Sequence, residues 1–165
     1  MSKTLVRLMV VMFAAVFVRA EVPLAQKVED AIRAAEPGWQ WTHPVLDSSP
    51  IVPSEKRLLI SRWKHTSRTG QLETVDLHIF QVDSRHDAEM FLAPEREGKV
   101  PSGWKVNPYS IGDEAYLATY GNGQRYEVYF RRGMVIVIVK GDSIQLVERF
   151  AKYAAKQIAA ELAGT

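Results

Sequence analysis

The residues able to do metal or acid–base chemistry are scattered along this chain. His43, His65, His78 and His86 fall in four separate stretches, whereas a zinc-protease site pairs two histidines one helical turn apart. The best pair is His78 with Asp76, because residues two apart on a strand face the same way. Folding their hairpin symmetrically about its turn sets Ser61 opposite Asp76 and Leu59 opposite His78, which supplies no third ligand where zinc takes at least three. No metal and no cofactor are therefore expected. Nucleophilic chemistry has no better footing. The Gly-x-Ser-x-Gly strand-turn-helix signature is absent, and Ser84, Ser110 and Ser143 sit at turns or helix starts. Asp113 and Glu114 are adjacent, so on an extended chain their carboxylates diverge instead of flanking one bond. Gly121-Asn122-Gly123 joins two strands and lacks the helix and lysine of a phosphate loop. Trp39 and Trp41 could form a platform for sugar rings, but the same spacing suits one core tryptophan and one half-buried neighbour.

The elements that hold these residues follow from hydrophobic spacing. Leu24, Val28, Ala31, Ile32 and Ala35 form one helical stripe, begun near Pro23 and stopped by Pro37-Gly38. Prolines and serines between Pro44 and Pro53 mark a connection. Arg57 to His65 and Leu72 to Val82 read as a hairpin, in which Val75, Leu77 and Ile79 alternate with polar residues. Ser84 and Asp87 resemble a capping box for a short helix through Ala88, Phe91 and Leu92 that ends at Pro94. Glu95 to Gly103 reads as a loop, and Trp104 to Ile111 as an extended stretch interrupted by Pro108. A meander follows: Ala115 to Tyr120, Arg125 to Arg131 and Met134 to Lys140, turned at Gly121-Asn122-Gly123 and Arg132-Gly133. Asp142 or Ser143 caps a last helix carrying Val147, Ala151, Ala154, Ile158 and Leu162. The order is helix, two strands, helix, three-strand meander, helix. It predicts an α+β domain: an antiparallel sheet of about five or six strands with helices packed on it.

Residues 1–20 have the three parts of a secretion signal. Lys3 and Arg7 precede an apolar run of 11 residues, Leu8 to Val18, which closes in Arg19 and Ala20. A membrane-spanning helix needs roughly 17 to 25 apolar residues, so cleavage before Glu21 is the expected fate. Residues 21–165 then form one exported domain, periplasmic or extracellular, with no stable membrane insertion after cleavage. Removing Lys3, Arg7 and Arg19 from 21 basic residues leaves 18 against 19 acidic, a net charge of −1. The small positive charge of the whole sequence belongs to the leader and gives no support for nucleic-acid binding. The chain has no cysteine, which excludes disulfides, thiolate metal sites, a cysteine nucleophile and a lipidated cysteine anchor.

The run Gly112-Asp113-Glu114-Ala115-Tyr116, then Phe130-Arg131-Arg132-Gly133, then a closing helix with Arg149-Phe150-Ala151, resembles a group of exported bacterial proteins of unknown function that share a GDEAY segment and an F-R-x-G hairpin. The element order is also similar to that of Mog1/PsbP-like domains. The resemblance implies the fold and the export but no catalytic residues, since fold does not fix function.

One surface remains to be explained. Folding the meander about its turns sets Tyr116 opposite Tyr129, Tyr129 opposite Ile136, and Glu127 opposite Ile138 on one face. Leu117, Val128, Phe130, Val135, Val137 and Val139 occupy the other. Both faces are apolar, so both need cover. Either the first or second helix packs on the second face, or Tyr116, Tyr129, Ile136 and Ile138 form an exposed patch rimmed by Arg125 and Arg131, the composition of a binding surface. The function that follows is a secreted or periplasmic, non-enzymatic domain binding a small ligand or an envelope protein. The alternatives are a small exported hydrolase or cell-envelope enzyme with a site assembled from scattered residues, and a purely structural envelope component.

Overall fold

In the computed structural model residues 23–44 and 50–164 are described. The leader expected over 1–20, with its cleavage site before Glu21, and residues 45–49 of the proline-rich connection lie outside the described residues. The elements in chain order are α1 (Leu24–Ala35), β1 (Gln40–Thr42), β2 (Lys56–Thr66), β3 (Leu72–Gln81), α2 (Arg85–Lys99), β4 (Trp104–Pro108), β5 (Glu114–Tyr120), β6 (Arg125–Arg132), β7 (Val135–Gly141) and α3 (Ile144–Ala163).

Short turns join β2 to β3, β5 to β6 and β6 to β7, and every strand pairing is antiparallel, in the order β1-β2-β3-β7-β6-β5-β4. The α+β expectation holds, with seven strands in place of five or six. The additional strands are the edges. β1 is three residues long, and β4 ends at Pro108, which cannot donate to a further ladder. β7 lies at the centre and is covered on both sides, as its unbroken run Val135 to Val139 requires.

α1 and α3 cover one face. Val28 and Ile32 from α1 and Val147, Phe150, Ala151, Ala154 and Ile158 from α3 are buried against Trp63, Leu77, Val128, Val137 and Val139. Lys27 on α1 pairs with Glu161 on α3 and ties the two helices together. α2 covers the other face, its Ala88, Phe91 and Leu92 packing on Phe80, Tyr116, Tyr129, Ile136 and Ile138. Ser84 caps α2 by accepting a hydrogen bond from the Asp87 amide at 3.0 Å. Ser143 starts α3 without capping it, its hydroxyl turning to Gln145 Oε1 at 3.0 Å.

Three expectations are corrected. α2 does not end at Pro94 but runs on to Lys99, so most of the expected loop from Glu95 is helix. Pro94 is exposed, and its missing N–H leaves one turn open. The helix is anchored on both sides of that turn, by Phe91 and Leu92 before it and by Lys99 after it. In the β2–β3 hairpin, Thr66 joins the ladder opposite Leu72. Ser67 and Gln71 close the shorter loop between them through Ser67 N–H to the Gln71 carbonyl and Gln71 N–H to Ser67 Oγ. That one-residue shift puts Arg62 opposite Asp76 and Ile60 opposite His78, and moves Ser61 to the opposite face. In the β6–β7 hairpin the two-residue turn is Gly133-Met134, with Arg132 opposite Val135, so Tyr129 faces Ile138 and Glu127 faces Lys140. Gly133 takes φ 59° and Met134 does not take a positive φ, which fits glycine at the first central turn position. This shift is two residues, so each side chain keeps its face.

Candidate functional site

The second sheet face carries every residue of the patch read from the sequence. Tyr116 and Tyr129 are a cross-strand pair with stacked rings, centroids 4.6 Å apart. Ile136 and Ile138 join them in the cluster under α2. All four are buried, and so is Arg131, whereas Arg125 is exposed. The structure brings these residues together but not at the surface. An exposed apolar patch is replaced by helix cover, because α2 lays Phe91 over Phe80, rings 5.1 Å apart, and carries Ala88 and Leu92 into the same cluster.

Beside this cluster lies a charged network that the sequence did not announce. Glu127 is 2% exposed, yet it projects from β6 into the space under the end of α2. Lys99 Nζ donates to its Oε2 at 2.5 Å and the Tyr129 hydroxyl donates to the same oxygen at 2.7 Å. Arg125 Nε lies 3.7 Å from Oε1, and Lys140 sits directly across the ladder. Burial pushes the Glu127 pKa up, but Lys140, the two hydrogen bonds and the Lys99 charge outweigh it, and the carboxyl sits below its ordinary value. Burial and the neighbouring Glu127 push the Tyr129 hydroxyl up, and burial with Glu95 and Glu127 pushes Tyr116 up. Lys99 also covers the Trp104 ring at 4.2 Å. Glu127 is thus an ionised acceptor that fastens α2 to the sheet. The missed signal was Lys99, assigned to a loop because the helix was stopped at Pro94.

His78 lies on the same face beyond the edge of that network. Burial first, then the charges of Lys140 and Arg62, against the opposing pull of Asp76 and Glu127, lowers its pKa to about 4. Asp76, its nearest candidate partner on the strand, is taken by Arg62 in a two-pronged pair at 2.6 and 2.9 Å. Among the described residues no group of three or more His, Cys, Asp and Glu side chains could hold a metal ion.

The GDEAY and F-R-x-G segments meet in space and lock one another. Gly112 takes φ 67°, and a Cβ there would collide with the Arg131 carbonyl oxygen. The Asp113 amide donates to that oxygen at 2.8 Å, and its carboxylate accepts the Gly133 amide at 2.7 Å, which closes the β6–β7 turn. Glu114 accepts from Arg131 Nε at 3.0 Å, with Asp113 and Glu89 on α2 at 3.8 and 3.7 Å from the same guanidinium. These residues join two hairpins and a helix.

Trp39 and Trp41 divide as a core and a half-buried residue. Trp39 stacks on His65 and meets Phe150 edge-on. Trp41 has Trp63 stacked at 5.5 Å and the Arg33 guanidinium 4.2 Å from its ring centre, so partners already occupy the ring that a sugar would need. No described helix is long and apolar enough to cross a membrane.

No family model matches the sequence. No curated protein matches it either. Among solved structures, a GTP-binding regulator from Thermotoga maritima is similar at 15% identity and a TM-score of 0.43, covering 82% of this chain and 89% of that one. Likeness of that size leaves function to be read from the residues themselves.

Proposed function

We propose that this protein is an exported, non-catalytic domain, periplasmic or extracellular, that binds a small ligand or a partner protein. The observation that carries this reading is the state in which the acid–base groups on the α2 side of the sheet are held. Glu127 is kept ionised and is engaged by Lys99 and Tyr129, His78 is kept neutral at neutral pH, and both tyrosine hydroxyls under α2 are kept protonated. A general acid or base works best with a pKa near the operating pH and open to substrate; all four lie away from neutrality, and Glu127 and both tyrosines are buried as well. The export half rests on the leader pattern of residues 1–20.

The experiment is expression with the leader in a bacterium, followed by intact mass and a thermal-shift ligand screen on the released protein. A chain starting at Glu21 outside the cytoplasm, and a ligand that raises its melting temperature without being turned over, are expected. Turnover of a hydrolase substrate, abolished by changing Glu127 or His78, would overturn the non-catalytic half; a full-length membrane-bound product would overturn the export half.

A further inference from the structure

On the α3 side of the sheet the connection between β4 and β5 stands against the C-terminal half of α3 across an open groove of ≈ 360 Å³. Ser110 and Gly112 line it from the connection, Arg132 from the end of β6, and Ala155, Lys156 and Ala159 from α3.

Its charge is one-sided. Two of the lining residues are cationic and none is acidic. Among the described residues neither Arg132 nor Lys156 makes an ion pair or a side-chain hydrogen bond. The nearby acids are already committed. Asp113 accepts the Gly133 amide and faces Arg131, and Glu161, five residues past Lys156, takes Lys27 and Gln157. Lys156 is exposed and Arg132 half-buried, so the uncancelled pair raises the local concentration of anions over an open groove.

Its neutral donors are free as well. Among the described residues the backbone N–H groups of Ser110, Ile111 and Gly112 donate to no other group, while the next amide, Asp113, turns away to the Arg131 carbonyl. Gly112 takes φ 67°, with the Arg131 carbonyl packed beside it. Ala155 and Ala159 leave the space open where longer side chains would fill it.

We propose that this groove binds a tetrahedral oxyanion: a phosphate, free or as the head of a larger molecule. The Arg132 guanidinium offers a planar fork to two oxygens and Lys156 a point charge, with the Ser110 hydroxyl as a further donor. The proposal rests on the reading of the protein as a binding domain and names the class of ligand.

The test titrates inorganic phosphate into the full chain, with sodium chloride holding ionic strength constant, and compares Arg132→Ala/Lys156→Ala and Ala159→Glu. The first variant removes both cations; the second keeps them and places a carboxylate in the groove. Phosphate should raise the parent's melting temperature above that in chloride. Either variant should bind it at least about tenfold more weakly, the loss expected for one or more charge-assisted hydrogen bonds. Melting in chloride should stay near the parent's for the double variant, since neither cation holds an internal partner; if that variant fails to fold, Ala159→Glu decides. Co-sedimentation with phosphatidylglycerol vesicles but not phosphatidylcholine vesicles, lost in the variants, would assign the phosphate to a lipid headgroup. A phosphate response without vesicle binding would assign it to a soluble ligand. No response in the parent, or the same response in all three proteins, overturns the site, and a ligand found elsewhere on the protein would still leave the binding reading intact. Conversely, hydrolase turnover would overturn that reading while leaving phosphate binding at Arg132 and Lys156 as measured.

Discussion

The two faces of the sheet are closed by different means. Under α1 and α3 the core is apolar almost throughout, and α3 alone buries seven residues, among them Leu146, Val147, Phe150 and Ile158. Under α2 only Ala88, Phe91 and Leu92 are buried from the helix, and the closure is finished by charge, Lys99 on Glu127 at one end and Glu89 near Arg131 on its flank. The first face is held mainly by apolar burial, with ion pairs confined to its helices' flanks, Lys27 with Glu161, Arg149 with Glu36 and the buried Glu29 with His43. The second adds buried ions whose worth lies in being paired, because an unpaired buried charge is costly. A face that looks like a binding patch in the sequence is therefore built as a second core with a polar latch.

The second face loses most if its centre is cut out. Replacing Tyr129 and Ile136 together with serine should cost about 5 kcal/mol or more in denaturant melts, in line with truncating two fully buried side chains. A parent-like midpoint would return both to the surface. Next is the latch itself: Glu127→Gln should cost about 3 kcal/mol by equilibrium unfolding, since it strands Lys99, whose side chain is 13% exposed. A neutral result would make the pair incidental.

Acid sharpens the contrast. The fold keeps His78 neutral at a pH where the unfolded chain already binds a proton. The stability this gives is present above pH 6.5 and declines as the pH falls toward about 4. The loss across that window should be about 2 to 3 kcal/mol, and His78→Gln should flatten it. Glu127 acts later. Its contribution is present above 4.5 and is lost as the pH falls through its depressed folded value. Unfolding free energies of parent and variant from pH 8 down to about 2 check the order. The smallest effect is a gain: Pro94→Ala restores a helix-interior N–H at an exposed position and should stabilise by about 1 kcal/mol, less than the intrinsic preference because the open turn is already accommodated.

The first face was legible in the sequence because periodicity specifies most of it: the α1 and α3 stripes and the alternation of β3 name their buried side, although Ala35 and Leu162 at the ends of the two stripes are exposed. Turn chemistry placed the meander, and Ser84 marked the start of α2. The second face was half legible. Its apolar members, Tyr116, Tyr129, Ile136 and Ile138, followed from strand alternation, but their cover did not. Pro94 suggested an end that packing on both sides overrides, which hid Lys99 and with it the partner of Glu127. Both hairpin registers slipped because the turn residues did not fix where pairing resumes. A slip of one moved Ser61 off the face of Asp76, while a slip of two in β6–β7 changed partners and left the faces intact. The groove at Arg132 and Lys156 joins residues far apart in sequence and leaves no local pattern to read.

Native-state hydrogen exchange of the intact protein under increasing denaturant tests the inequality of the two faces most directly. The amides of Arg85–Lys99 should exchange through an opening of lower free energy than those of Leu146 to Ile158, which should approach the global value, because α2 is anchored by three buried side chains and α3 by seven. If the amides of α2 and α3 instead merge at one free energy across all denaturant concentrations, the second face is as firmly closed as the first, and the account of a lightly anchored, charge-latched helix is wrong.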